Sequence, residues 1–129
     1  MRQEKLPSVS TKKPRWGGQC LTYAAALYTK ATGVGSSGNV DAKAYWNNST
    51  PQERKMHLCA PSVAIWFNGK HGHAGFISKI DPDGTIHFTD SNFAGDETVR
   101  ELTFSDPSQL GKRCPNFKGY VQRTTTRWR

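Results

Sequence analysis

The apolar positions of this chain change period near residue 60. In the first half, Leu21, Ala24, Ala25 and Tyr28 recur at i, i+3, i+4 and i+7, one face of an amphipathic helix that follows Gly17-Gly18 and stops at Gly33. Residues 33–38 have the composition of a loop. Asp41 to Trp46 reads as a short helix with Asp41 at its N-terminus. Thr50-Pro51-Gln52-Glu53 carries a capping-box pattern with proline at the first helical position, which predicts a further turn or two. In the second half, residues 63–67 form a β-branched and aromatic run that reads as a buried strand, turned by Asn68-Gly69-Lys70. Residues 73–80 supply the next strand, Asp81-Pro82-Asp83-Gly84 a tight turn, and residues 85–90 the strand that returns, an antiparallel meander. Residues 99–104 and 119–123 are two weaker strand candidates, separated by a helical turn over residues 106–111. Helices first and sheet second predict an α+β fold, N-terminal helices packed on an antiparallel β-sheet.

Composition narrows the class. A chain of 129 residues is read as one domain with a core of its own. No window approaches the roughly 18 apolar residues of a membrane span, and residues 1–16 are polar, with no apolar stretch of a secretory signal. Cys20, Cys59 and Cys114 are too few and too irregularly spaced for a disulfide framework or a zinc cluster, so three free thiols are expected, with a Cys59–Cys114 bridge as the alternative. The net charge of +8 is unevenly placed. Residues 1–16 and 112–129 hold 11 of the 18 Lys and Arg with only Glu4 among acids, whereas residues 17–111 hold 7 basic and 9 acidic side chains. Residues 1–16 and 124–129 are read as basic extensions of the domain, and the charge at the ends favours polyanions as partners, either nucleic acid or anionic cell-wall polymers. No nucleic-acid-binding motif accompanies the charge, so nucleic acid is not the expected partner. A non-catalytic cationic module for cell wall or nucleic acid stands as the alternative to an enzyme.

The chemistry centres on Cys20. In the first turn of a helix, free backbone N–H groups and the positive end of the dipole favour thiolate over thiol, and the thiolate is the nucleophile. Such a nucleophile needs a histidine to take its proton and a third polar group to hold the imidazole. His73 opens the central strand. With the turn centred near residues 82 and 83, the antiparallel partner of residue 73 falls close to residue 92, so Asp90 and Asn92 are both candidates for the third group. His71, two residues away, is the rival for the base. His57, on a polar helix face, and His87, within a strand, have no expected role. Trp46, Trp66 and Tyr45 read as core or groove wall.

Gly18-Gln19-Cys20 opening a helix, Gly72-His73-Ala74-Gly75-Phe76-Ile77 after an apolar strand, and Thr89-Asp90-Ser91-Asn92-Phe93 closing the next one together resemble the CHAP family, the cysteine, histidine-dependent amidohydrolases/peptidases. The resemblance spans about residues 16–123 and implies a papain-like α+β fold. The activity it implies is peptidoglycan hydrolysis, at the N-acetylmuramoyl-L-alanine amide or at a peptide bond of the stem or cross-bridge. It makes Cys20 the nucleophile and favours His73 over His71 as the base. The third position matches Asp90, where the family often has Glu, with Asn92 as its polar neighbour. Gln19 and the Cys20 backbone N–H would form the oxyanion site. Acyl transfer of this kind needs no metal or other cofactor, and the basic segment Lys12 to Arg15 stands where some members carry calcium-binding acids. The remaining expectations are a monomer, phage-type lysin in character, whose partners are peptidoglycan and anionic wall polymers. It would be made in the cytoplasm without a signal peptide and act on the wall after release or as part of a virion.

Overall fold

The computed structural model of the protein describes residues 19–35, 40–91 and 98–124, with only the backbone of Gln19. Helix α1 (Gln19–Thr32) covers the expected periodic stretch. It ends where Gly33 turns to φ +74° and its N–H bonds the Thr29 carbonyl at 2.7 Å. Helix α2 (Ala42–Asn48) starts at Asp41, whose carboxylate accepts from the Ala44 N–H at 2.9 Å.

The capping box forms as its sequence predicts: Thr50 N–H donates to Glu53 Oε1 at 2.9 Å and Glu53 N–H to Thr50 Oγ1 at 3.2 Å. Only a single turn is made, however, because the chain passes at once into strand β1 (Arg54–Lys55). His57, expected on a helix face, instead lies exposed in the bend beyond that strand.

Strands β2 (Ser62–Trp66), β3 (His73–Ile80), β4 (Ile86–Ser91) and β5 (Val99–Phe104) form the meander. Helix α3 (Pro107–Gly111), capped by Asp106, then leads to β6 (Phe117–Val121), which begins two residues before the expected start. β6 returns to the far side of β2, giving one antiparallel sheet in the order β1-β6-β2-β3-β4-β5. The result is the expected α+β architecture.

Strand alternation divides the core between the two faces of the sheet. Leu21, Ala24, Leu27 and Tyr28 of α1 and Tyr45 of α2 pack with Val63, Ile65, Ala74, Phe76 and Val121 on one face. On the other face Ala64, Trp66, Ile77, Phe88 and Tyr120 pack with Leu110 of α3 and Cys114. Burying each large apolar side chain is worth about 1.5–3 kcal/mol, so both layers are fixed to the sheet by burial rather than by surface charge. Tyr45 and Trp66 are core residues, and all three cysteines are free thiols. No helix among the described residues is long and apolar enough to cross a membrane.

Two arginines counted with the basic ends are instead engaged by buried carboxylates. Arg123 is buried, at 3 % exposure, with Nε 3.8 Å from Glu53 Oε2. Its carbonyl accepts from the Tyr28 hydroxyl at 3.0 Å. Glu53 is buried too. Burial pushes its carboxyl upward, but N–H donors from Thr124 and Thr50 and the charge of Arg123 outweigh this and hold it below its ordinary value. Charge counting reads Arg123 as part of a solvated tail because it cannot see the carboxylate 70 residues earlier that receives it. The second is Arg113.

Candidate active site

His73 is the first residue of β3, and the chain reaches it through a tight approach at Gly72. There φ is +77°, and a Cβ would come within 2.7 Å of the Trp66 carbonyl, so glycine is required on both counts. This bend also separates the two neighbouring histidines. His71 lies outside the strand and pairs with the α2 cap, Nδ1 to Asp41 Oδ2 at 2.9 Å, while His73 turns inward.

Cys20, in the first turn of α1, sits over this same corner and its thiol reaches the Gly72 carbonyl at 3.8 Å. Its thiol is close enough to be one of the groups that raise the His73 imidazole. Helix α1 belongs to one layer and His73 to the opposite face of the sheet. The two come to one corner because His73 stands at the very end of its strand, next to the Gly72 carbonyl that the thiol reaches.

The third group comes from the register. Gly75 pairs with Asp90, so Asp90 shares a face with residues 73 and 75 of the neighbouring strand. On that face His73 Nε2 lies 2.8 Å from Asp90 Oδ2. A Cβ at Gly75 would stand 2.1 Å from Cε1 and Cζ of Phe88, which fills the room that this glycine leaves. Trp66, opposite His73 on β2, covers the imidazole with ring centroids 5.6 Å apart.

Asp90 is fully buried, and Arg113 completes its surroundings. Arg113 Nε donates to Oδ2 at 2.9 Å and Nη2 to Oδ1 at 3.1 Å, a two-pronged clamp. Burial pushes the Asp90 carboxyl up, yet hydrogen bonds from His73 and Arg113, with their charges, bring it below its ordinary value. Burial pushes His73 down, yet its hydrogen bonds to Asp90 and Cys20, with their charges, raise it overall. An ionised carboxylate only accepts hydrogen bonds, so His73 Nε2 carries a proton toward Asp90. That leaves Nδ1 as the unprotonated nitrogen, the tautomer that can accept a thiol proton.

Of the residues singled out from sequence, Cys20, His73 and Asp90 are brought together. Asn92, Gly17 and Gly18 lie outside the described residues, and only the backbone of Gln19 is described, at the start of α1. His87 bonds Asp81, Nε2 to Oδ2 at 2.8 Å, away from this cluster. Sequence reasoning missed Arg113, which no local pattern marks, and the packing role of Gly75, which an isolated glycine within a strand can signal. Among the described residues no group of three or more His, Cys, Asp or Glu side chains is placed to hold a metal ion.

Comparison with curated proteins returns no match. A family model described as the CHAP domain matches residues 9–92, a span that includes Cys20, His73 and Asp90. The chain therefore belongs to the CHAP domain family, whose members are amidases and peptidases of the peptidoglycan-hydrolase type.

Proposed function

We propose that the protein cleaves an amide bond of bacterial peptidoglycan through Cys20, His73 and Asp90. The observation that carries this reading is the buried array in which His73 Nε2 meets Asp90 at 2.8 Å while the Cys20 thiol reaches the carbonyl of Gly72, the residue before His73, at 3.8 Å. In this mechanism the Cys20 proton passes to His73 Nδ1 and Sγ attacks the amide carbonyl. The oxyanion is met by the Cys20 N–H and by Gln19, donors at a helix start where backbone N–H groups have no intrahelical partner. His73 then protonates the leaving amine and the C–N bond breaks, leaving a thioester on Cys20. Water, giving a proton to His73, attacks the thioester and releases the carboxylic acid and the thiol. Asp90 holds the imidazole in orientation throughout and stabilises its cation.

Attraction to anionic wall polymers would use the basic ends. With Arg113 and Arg123 engaged by buried carboxylates, nine of the eleven cations of residues 1–16 and 112–129 remain for this role. Binding to isolated walls should weaken from low to physiological salt, and salt-indifferent binding would remove that part of the proposal.

The enzymatic claim is tested by turbidity loss of bacterial cell walls with the native protein and with Cys20→Ser. Clearing by the native protein alone is expected. Equal clearing by both would exclude Cys20 as nucleophile, and no clearing of any wall by either would favour a binding role. Mass spectrometry of the fragments assigns the bond: a new amino terminus at L-Ala means amidase, any other new terminus endopeptidase.

A further inference from the structure

We propose that Arg113 is a positioning residue of this site, one that sets the protonation state and tautomer of the Asp90–His73 pair. The inference rests on the catalytic role proposed for Cys20, His73 and Asp90. Arg113 lies beyond residues 9–92, the span that the family comparison covers.

Every hydrogen-bond role around Asp90 is constrained by Arg113. A guanidinium can only donate and stays charged at any working pH. It occupies Oδ1 through Nη2 and shares Oδ2 with His73 through Nε, so the carboxylate has no room to carry a proton toward either partner. Asp90 is thereby kept an acceptor, His73 must present Nε2–H to it, and Nδ1 is kept as the acceptor for the Cys20 proton. The charges agree with this. Thiolate, imidazolium, carboxylate and guanidinium sum to zero, whereas removing Arg113 leaves a net negative charge on groups nearly closed to water, with Asp90 at 0 % and His73 at 5 % exposure. An isolated carboxylate in such a place takes up a proton rather than remain charged. A protonated Asp90 would offer an O–H to Nε2 and draw the imidazole toward the opposite tautomer, with its proton on Nδ1.

The fold holds Arg113 in place with the same tryptophan that covers the imidazole. Trp66 Nε1 donates to the Gly111 carbonyl at 3.0 Å while its ring lies against His73. The Asp106 cap, the buried Leu110 and the Arg113 N–H to Leu110 carbonyl bond of 3.0 Å fix the segment between. The guanidinium is thus delivered from α3, on the sheet face opposite α1.

The test uses the full chain with Arg113→Lys and Arg113→Met, read by nitrogen NMR of the His73 ring without substrate and by the pH profile of wall lysis. Arg113→Lys keeps the cation and thus the fold, but a point charge cannot hold both oxygens. The native protein should show the Nε2–H tautomer. Arg113→Lys should shift the population toward Nδ1–H, move the acidic limb of the lysis profile to higher pH and lower the rate at neutral pH by about tenfold. Arg113→Met should lower it by about 10²-fold, the scale expected when reacting groups lose their alignment. If it fails to fold, Arg113→Lys alone decides the matter. A native tautomer and a native pH profile in Arg113→Lys would overturn the proposal, whatever the lysis rate. Because the tautomer is read without turnover, this outcome is separate from failure of the catalytic reading, which would appear as lysis by Cys20→Ser.

Discussion

Replacing Gly75 with alanine adds one methyl group at the point where strand pairing brings Asp90 within reach of His73. The new Cβ would stand 2.1 Å from two atoms of the Phe88 ring, about 1.3 Å inside ordinary van der Waals contact. Phe88 cannot simply swing away. It is 1 % exposed and sits edge-on between Trp66 at 5.8 Å and Phe104 at 5.6 Å between ring centroids. The overlap must therefore be relieved by moving the ring off its rotamer or by parting β3 from β4. Overpacking of this kind costs about 1–3 kcal/mol, and the two rigid neighbours put Gly75→Ala at about 3. For a chain of this length that is a fall in Tm of roughly 10 °C. Thermal unfolding by circular dichroism measures it, and Phe88→Leu provides the control, since removing the ring removes the obstacle. The two substitutions together should cost less than the sum of their separate effects by about 1 kcal/mol or more. Wall lysis should fall further than stability alone explains, because any parting of the strands lengthens the 2.8 Å contact from His73 to Asp90. A Gly75→Ala protein with native Tm and additive behaviour with Phe88→Leu would refute the packing argument.

Glu53→Ala would leave Arg123 buried beside an empty site and remove an acceptor from Thr124, so we expect a loss of about 3–5 kcal/mol by urea denaturation. An effect within 0.5 kcal/mol, roughly the scale of a surface change, would mean that the pair is solvated. Stability should also depend on pH through the site. Asp90, lowered on folding from 3.8, contributes fully above that value and loses its contribution as pH falls through its folded pKa. His73, raised on folding from 6.5, contributes fully below that value and loses its contribution as pH rises through its folded pKa. The joint contribution is greatest between 3.8 and 6.5. The difference in ΔG between native protein and Asp90→Asn, followed across pH, should be largest in that window, and a flat difference would contradict the assignment. At neutral pH Asp90→Asn should lose lysis by about 10³-fold or more, as expected when the imidazole is held in the wrong tautomer.

The meander is legible in the sequence because its signals are local. Alternation and the Asp81 to Gly84 turn place residue 75 near residue 90, and a one-residue bulge between Ile77 and Lys79, which no local signal marks, sets the final pairing that brings His73 beside Asp90. The helix of Cys20 is legible for the same reason. The features that escape depend on distant partners. A two-residue strand such as β1 carries no periodicity, and it exists because β6 lies beside it, Arg54 against Val121. The capping box at Thr50 is a local signal and forms, while the length of its helical turn is decided by that distant pairing. Arg113 and Arg123 look like solvent-facing charge among many others, since sequence gives the number of cations and not the buried carboxylates that receive them. His71 and His73 are equivalent in an extended chain, and the positive φ at Gly72 separates them.

The proposed mechanism requires Cys20 to form a covalent bond to the acyl part of its substrate. Intact-mass spectrometry of protein quenched in acid during turnover of peptidoglycan fragments, followed by peptide mapping, tests it directly. An adduct of the acyl fragment's mass is expected on Cys20, cleaved by hydroxylamine as a thioester is and absent from Cys20→Ser. Hydrolysis that proceeds with the acyl fragment on another residue, or at an unchanged rate in Cys20→Ser, would contradict it.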